Sequence, residues 1–178
     1  PGSTQLVQRD RNVLTKESML AMLRAQRTLE ARDDMYVSGT SSAAGTVART
    51  IDPEATTLEQ QITALDRAAP TTVRRAVRAN ADNPGFTGTV SDDFNERDPS
   101  ASATIGTVRH DIPGGTGGGT AGQSGDSPLT PIQTQAQRVI DAELDAGITV
   151  FGSGIIADEF GTVISDSLLI VTPAAVLL

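Results

Sequence analysis

His110 is the single histidine of the chain, and there is no cysteine. Thiolate nucleophiles and thiolate zinc sites are therefore excluded. His110 with Asp111 could open a metal site only if further ligands converged on it. The pair sits in a glycine-rich loop, so a solvated loop histidine is the plainer expectation. Asp158, Glu159 and Asp166 bring together carboxylates, the ligands hard cations prefer. No Asp-x-Asp-x-Asp-Gly loop accompanies them, which leaves a solvated acidic turn as the expectation.

Ser124 and Ser153 stand beside glycines, as nucleophilic serines do, but neither completes Gly-x-Ser-x-Gly. A hydrolase would also need a base, and only His110 exists. Gly117, Gly119 and Gly122 fit the spacing Gly-x-Gly-x-x-Gly. That fingerprint needs a strand before it and a helix directly after it, and a polar tract precedes it here. No catalytic residue, metal ligand or cofactor site is expected, and the chain reads as a non-enzyme.

Arg74, Arg75 and Arg78 form the one basic constellation. They follow a helical stretch and a proline turn, in the outline of a helix-turn-helix whose arginines would meet phosphates or base edges. The turn lacks its usual glycine, and the chain carries a net charge of −8. An acidic chain is a poor general nucleic-acid binder. An αα-hairpin with a solvated basic face, or one docked on an acidic partner, fits as well.

The elements that would carry these residues are small. Residues 14–34 read as a helix capped by Thr15, with Leu14 and Met19 as a staple and Met19, Met22, Leu23 and Leu29 on one face. Residues 37–50 read as a small polar loop. A second helix is expected from Asp52-Pro53, or from a capping box of Thr56 and Glu59, with Leu58, Ile62 and Leu65 as its stripe. Pro70 ends it, and a third short helix runs to about Asn80. Ala81 to Leu129 then holds ten Gly and four Pro. It reads as an extended arm, since structureless stretches of such length are unusual inside a compact domain. Thr130-Pro131-Ile132-Gln133 opens a helix with Ile132, Ala136, Val139, Ile140 and Leu144 inward and Gly147 as its stop. Short strands follow, beginning with Ile148–Phe151, and no apolar run reaches membrane-spanning length.

The expected class is α+β with low regular content. Helices are placed at 15–32, 53–69, 72–80 and 130–146, with short C-terminal β-strands. The expected division is a helical segment (1–80), an extended Gly/Ser/Asp-rich arm (81–129) and a small helix-plus-strands assembly unit (130–178).

Composition points to partners. Leu, Ile, Val and Phe together make 23% of the 178 residues, and Trp is absent. That supports only a thin core, one that gains from contact with other chains. Residues 1–80 carry net +2 and residues 81–178 net −10. The segment 148–178 is rich in Val, Ile and Leu and reads as an assembly surface. Partner contacts are expected at Phe86, Phe94, Ile105 and Ile112, and at Ile155, Ile156, Leu168, Leu169 and Ile170. The partners would be other protein subunits, copies of this chain among them, with no membrane. The setting expected from this texture is a bacteriophage virion assembled in the host cytoplasm, the alternative being a regulator in the bacterial cytoplasm. Pro1-Gly2-Ser3 has two readings, a start left by removal of an initiator Met or the scar of a protease site.

Overall fold

The computed structural model describes residues 2–113, 129–144 and 147–152. They form a mixed helical and sheet structure of the α+β class. The sheet has four strands: β1 (Gly2–Arg9), β2 (Val37–Ser41), β3 (Ala103–His110) and β4 (Ile148–Phe151). Their order is β2-β3-β1-β4, and all pairs are antiparallel. β1 and β3 pair along their whole length, from Gly2 opposite His110 to Arg9 opposite Ala103. β4 adds to the other edge of β1, with Leu6 opposite Val150. β2 adds to β3 with an irregularity between Val37 and Gly39.

Side chains alternate across a strand, and here the alternation sorts the sheet into two faces. Thr4, Leu6, Gln8, Thr104, Val108, His110, Ile148 and Val150 are buried on the inner face. Helix α1 (Lys16–Glu30) lies against it. Thr15 caps α1 by accepting from the Ser18 N–H, as expected from sequence, and Leu14, Met19, Met22, Leu23 and Leu29 are buried. The approach is close at Gly106, where a Cβ would stand 2.6 Å from the Met22 sulfur. A 3-10 turn (Asp33–Met35) leads from α1 to β2.

Helix α2 (Ala43–Ile51) packs against α1 and against α3 (Leu58–Arg67), α4 (Pro70–Ala79) and the single turn α5 (Pro84–Thr87). Its buried residues are small, Ala43, Ala44, Gly45 and Ala48 beside Val47, which lets neighbours approach closely. Gln26 ties α1 to this region. Its Nε2 donates to the Ser41 carbonyl (3.0 Å), and its Oε1 accepts from the Ser42 hydroxyl (3.1 Å), which also caps α2. Lys16 reaches back from α1 to the end of α3, donating to the carbonyls of Asp66 and Ala68. A cation suits the free carbonyls of a helix C-terminus. Helix α6 (Leu129–Glu143) packs on β4 and α1 through Ile132, Ala136, Val139 and Ile140.

Several expectations change. Residues 37–50 are not a loop but β2 and α2, because Ser42 supplies a cap that small polar neighbours disguise. The helix expected at 53–69 begins at Leu58, with its capping box on Thr57 and Gln60, and Asp52 instead ends α2. Pro70 starts α4 as its first residue. Residues 81–113 are not an extended arm. They contain α5 and β3, the latter held by β1 on one side and β2 on the other. Residues 114–128 of that arm lie outside the described residues, as do 153–178. α6 begins one residue before Thr130, and Gln133 is buried against β1, donating to the Ser3 carbonyl (3.2 Å). Ile148–Phe151 forms the expected strand.

Gly106→Val would drive into the Met22 and Gln26 side chains where α1 meets the sheet. Overpacking of this kind typically costs about 1–3 kcal/mol. Urea denaturation should show a loss of that order, and an unchanged midpoint would mean that Met22 repacks freely.

Candidate docking face

The described residues do not bring together a reactive constellation. His110 is fully buried on the inner face of the sheet. Its Nδ1 lies 2.7 Å from the Met35 carbonyl, and its Nε2 lies 2.8 Å from the Thr4 hydroxyl. A carbonyl only accepts, so Nδ1 carries the proton and Nε2 accepts from Thr4. Burial holds the imidazole pKa below the ordinary histidine value, while the bond to Met35 opposes that shift. The ring is a neutral cross-link, not the solvated loop histidine expected from sequence. Asp111 next to it is exposed, and no group of three metal-binding side chains occurs among the described residues. Ser124, Ser153, Gly117, Gly119, Gly122, Asp158, Glu159 and Asp166 lie outside the described residues.

Of the three large hydrophobic residues exposed among the described residues, Ile105 and Phe151 lie on the outer face of the sheet, and Tyr36 stands just before β2. Along β1 it presents Ser3, Gln5, Val7 and Arg9, and along β3 Ala103, Ile105, Thr107 and Arg109. β4 contributes Thr149 and Phe151. Val7 sits at the centre, opposite Ile105 on one side and Thr149 on the other. Ile105 is 37% exposed and Phe151 42% exposed, large apolar side chains that water meets directly. Arg9 and Arg109 mark opposite ends, and Arg109 runs beside Gly39, whose Cβ would stand 3.9 Å from its guanidinium. None of these outward positions carries a carboxylate.

A wall makes the face concave. Thr89, Val90 and Ser91 run alongside β3, with the Ile105 N–H donating to the Thr89 carbonyl (2.8 Å) and the Ser91 N–H to the Ala103 carbonyl (3.0 Å). Ser91 is pinned in turn by Asp93, whose carboxylate also accepts from the Ser102 N–H. These bonds, the Ser91 hydroxyl first, hold the Asp93 pKa below its ordinary value. Between this wall and Phe151-Gly152 lies a groove of about 690 Å³, floored by Gln5, Val7 and Ile105.

The expected partner residues separate on this map. Ile105 lies on the outer face. Phe86 is fully buried in the chain's own core, in edge-to-face contact with Phe94 at a centroid distance of 5.6 Å. Phe94 and Ile112 are half-buried against the same core. Ile155, Ile156, Leu168, Leu169 and Ile170 lie outside the described residues. Arg74, Arg75 and Arg78 are exposed on α4. Arg74 pairs with Asp98 (2.6 Å), and Arg78 donates to the Arg97 carbonyl (2.9 Å), so two of the three are engaged by a loop of their own chain.

Sequence reading missed Val7, Arg9 and Arg109. The signal was present in Ala103–His110, where Thr104, Ile105, Thr107 and Val108 are β-formers in a stretch otherwise dominated by turn residues. Comparison of the chain with protein-family models, with curated proteins and with solved structures finds no match in any of the three.

The state of His110 gives stability a pH dependence. The unfolded chain protonates this residue near the ordinary value of about 6.5, and the folded chain only at lower pH. Its stabilising contribution is complete above about pH 6.5 and declines as the pH falls below that value. Urea titrations of the wild type and His110→Gln should diverge in slope across that window, with the wild type losing stability faster on acidification. Parallel slopes would mean that the folded state binds this proton as readily as the unfolded one.

Proposed function

We propose that this chain is a non-enzymatic structural component of a large protein assembly, most concretely a bacteriophage virion protein of the decoration, connector or internal kind. The observation that supports it is the outer sheet face. An antiparallel sheet commonly leaves one face to water, and that face is then polar. Here Val7, Ile105 and Phe151 occupy its middle, between Arg9 and Arg109. Exposed apolar groups gathered on one face mark a surface that another polypeptide covers. Aromatic and arginine side chains are also the types enriched at protein interfaces. The virion setting and assembly in the host cytoplasm rest on composition: no cysteine, no tryptophan and 17 glycines in 178 residues. The binding-arm element of the expectation no longer extends over residues 81–113, which are taken up in the fold.

The full chain should self-associate or co-assemble through this face. Sedimentation at roughly 100 μM, where even weak contacts populate, should show species larger than a monomer. Ile105→Asp with Phe151→Asp should weaken association about tenfold or more. The circular dichroism should stay unchanged, because both side chains are exposed. A wild type that stays a compact monomer would overturn the proposal.

A second reading, a DNA-binding regulator of the bacterial cytoplasm, draws on α3 and α4. A two-residue connection, Ala68-Ala69, joins them, and Arg75 projects from α4 into solvent. That reading expects salt-sensitive DNA affinity which Arg74→Ala, Arg75→Ala and Arg78→Ala together abolish. Duplex binding that is absent at low salt removes it.

A further inference from the structure

The strand positions of the outer face have a definite chemical character: an apolar centre, cations at both ends and no carboxylate among them, the Asp93 carboxylate being held at Ser91 of the wall. Its cover should be apolar and should carry carboxylates for the two arginines. The chain encodes such a segment. Residues 153–178 include Ile155, Ile156, Leu168, Leu169 and Ile170, three carboxylates at Asp158, Glu159 and Asp166, and no basic residue. The segment is 26 residues long and continues from Gly152, which itself lines the groove. We propose that the outer face is the seat of residues 153–178 supplied by a second copy of this chain, so that neighbouring subunits exchange these segments.

The choice of a second copy rests on the assembly reading above. A segment that fits this face from its own chain fits it equally from a neighbour, and exchange of identical elements is a low-cost route to association. The junction Gly152-Ser153-Gly154 has a composition that lets a backbone turn in either direction. Charge gives the exchange its polarity. The arginines lie on the receiving sheet, and the carboxylates lie on the segment that would cover it.

The absence of cysteine makes the test clean. Ile105→Cys would be labelled with a benzophenone maleimide in the full chain. Equal amounts of isotopically light and heavy protein would be mixed, equilibrated and irradiated. Adducts between residue 105 and peptides of 153–178 that join light to heavy chains are expected. Adducts confined to one isotope would place the segment on its own chain and overturn the proposal. So would adducts that map elsewhere. Sedimentation of the same labelled sample reports association separately: an oligomer without mixed adducts sinks the exchange alone, and a monomer sinks the assembly reading with it. As a second measure, Arg9→Glu with Arg109→Glu should weaken association severalfold. Adding Asp158→Lys, Glu159→Lys and Asp166→Lys to the same chain should restore it. Restoration is the outcome that a general loss of folding would not produce.

Discussion

The pairing of β1 with β3 is the constraint on which the rest of this structure depends. It joins residues 2–9 to residues 103–110 in one unbroken register, so about 100 residues of chain are closed into a loop before the first ladder bond forms. Everything else is placed by it. β4 needs the free edge of β1, and β2 needs the free edge of β3. Thr4 meets His110 only because Gly2 stands opposite His110 in that register. A slip of β1 by one residue would turn Leu6 to water and bring Val7 inside, while Val108 kept its place on the inner face.

The helical layer answers the same register from above. Gly106 is opposite Leu6, and its missing side chain is what lets Met22 sit down on the sheet. Gln26, one turn further along α1, then reaches the end of β2 and the cap of α2. Polar groups buried in this way specify an arrangement because each has few places where its bonds can be met. The surface pairs, Arg32 with Glu143 and Arg74 with Asp98, are exposed and contribute little beside this. His110 belongs with the buried set. A histidine that sequence places beside an aspartate and a glycine tract looks available for chemistry, yet its two nitrogens are spent on Met35 and Thr4.

The two faces of the sheet divide stability from interaction. The inner face is closed by α1 and α6, and its buried polar side chains find partners within the chain, apart from Gln8 Oε1, which has none among the described residues. The outer face carries apolar groups that the described residues leave exposed and cations without neighbouring acid at the outward positions. With one tyrosine and no tryptophan in the chain, the core among the described residues is built from Leu, Val, Ile, Met and Ala around the single buried aromatic Phe86.

Local chemistry was legible in the sequence. Thr15 as a cap, the apolar face of α1, the start of a helix near Pro131, and the strand Ile148–Phe151 all rest on neighbours within a few residues. So did the α+β class. β1 was not legible, because Gly2–Arg9 has an ordinary composition, and the β-formers of Ala103–His110 stand in a tract of turn residues; the two become strands by finding each other across the chain. The same reason hid the candidate site. Ile105 could be singled out as apolar in a polar tract, but its joining with Val7, Phe151, Arg9 and Arg109 is a product of register. Phe86 shows the converse: an isolated aromatic in that tract suggested a partner, and the fold buried it against Phe94 and α2. The sequence by itself determined the Thr15 cap, the apolar faces of α1 and α6 and the absence of thiol chemistry in this chain, all of which depend on residue type and near neighbours. Only the tertiary structure decided which residues face water together, because that depends on pairing between segments that local propensity cannot align.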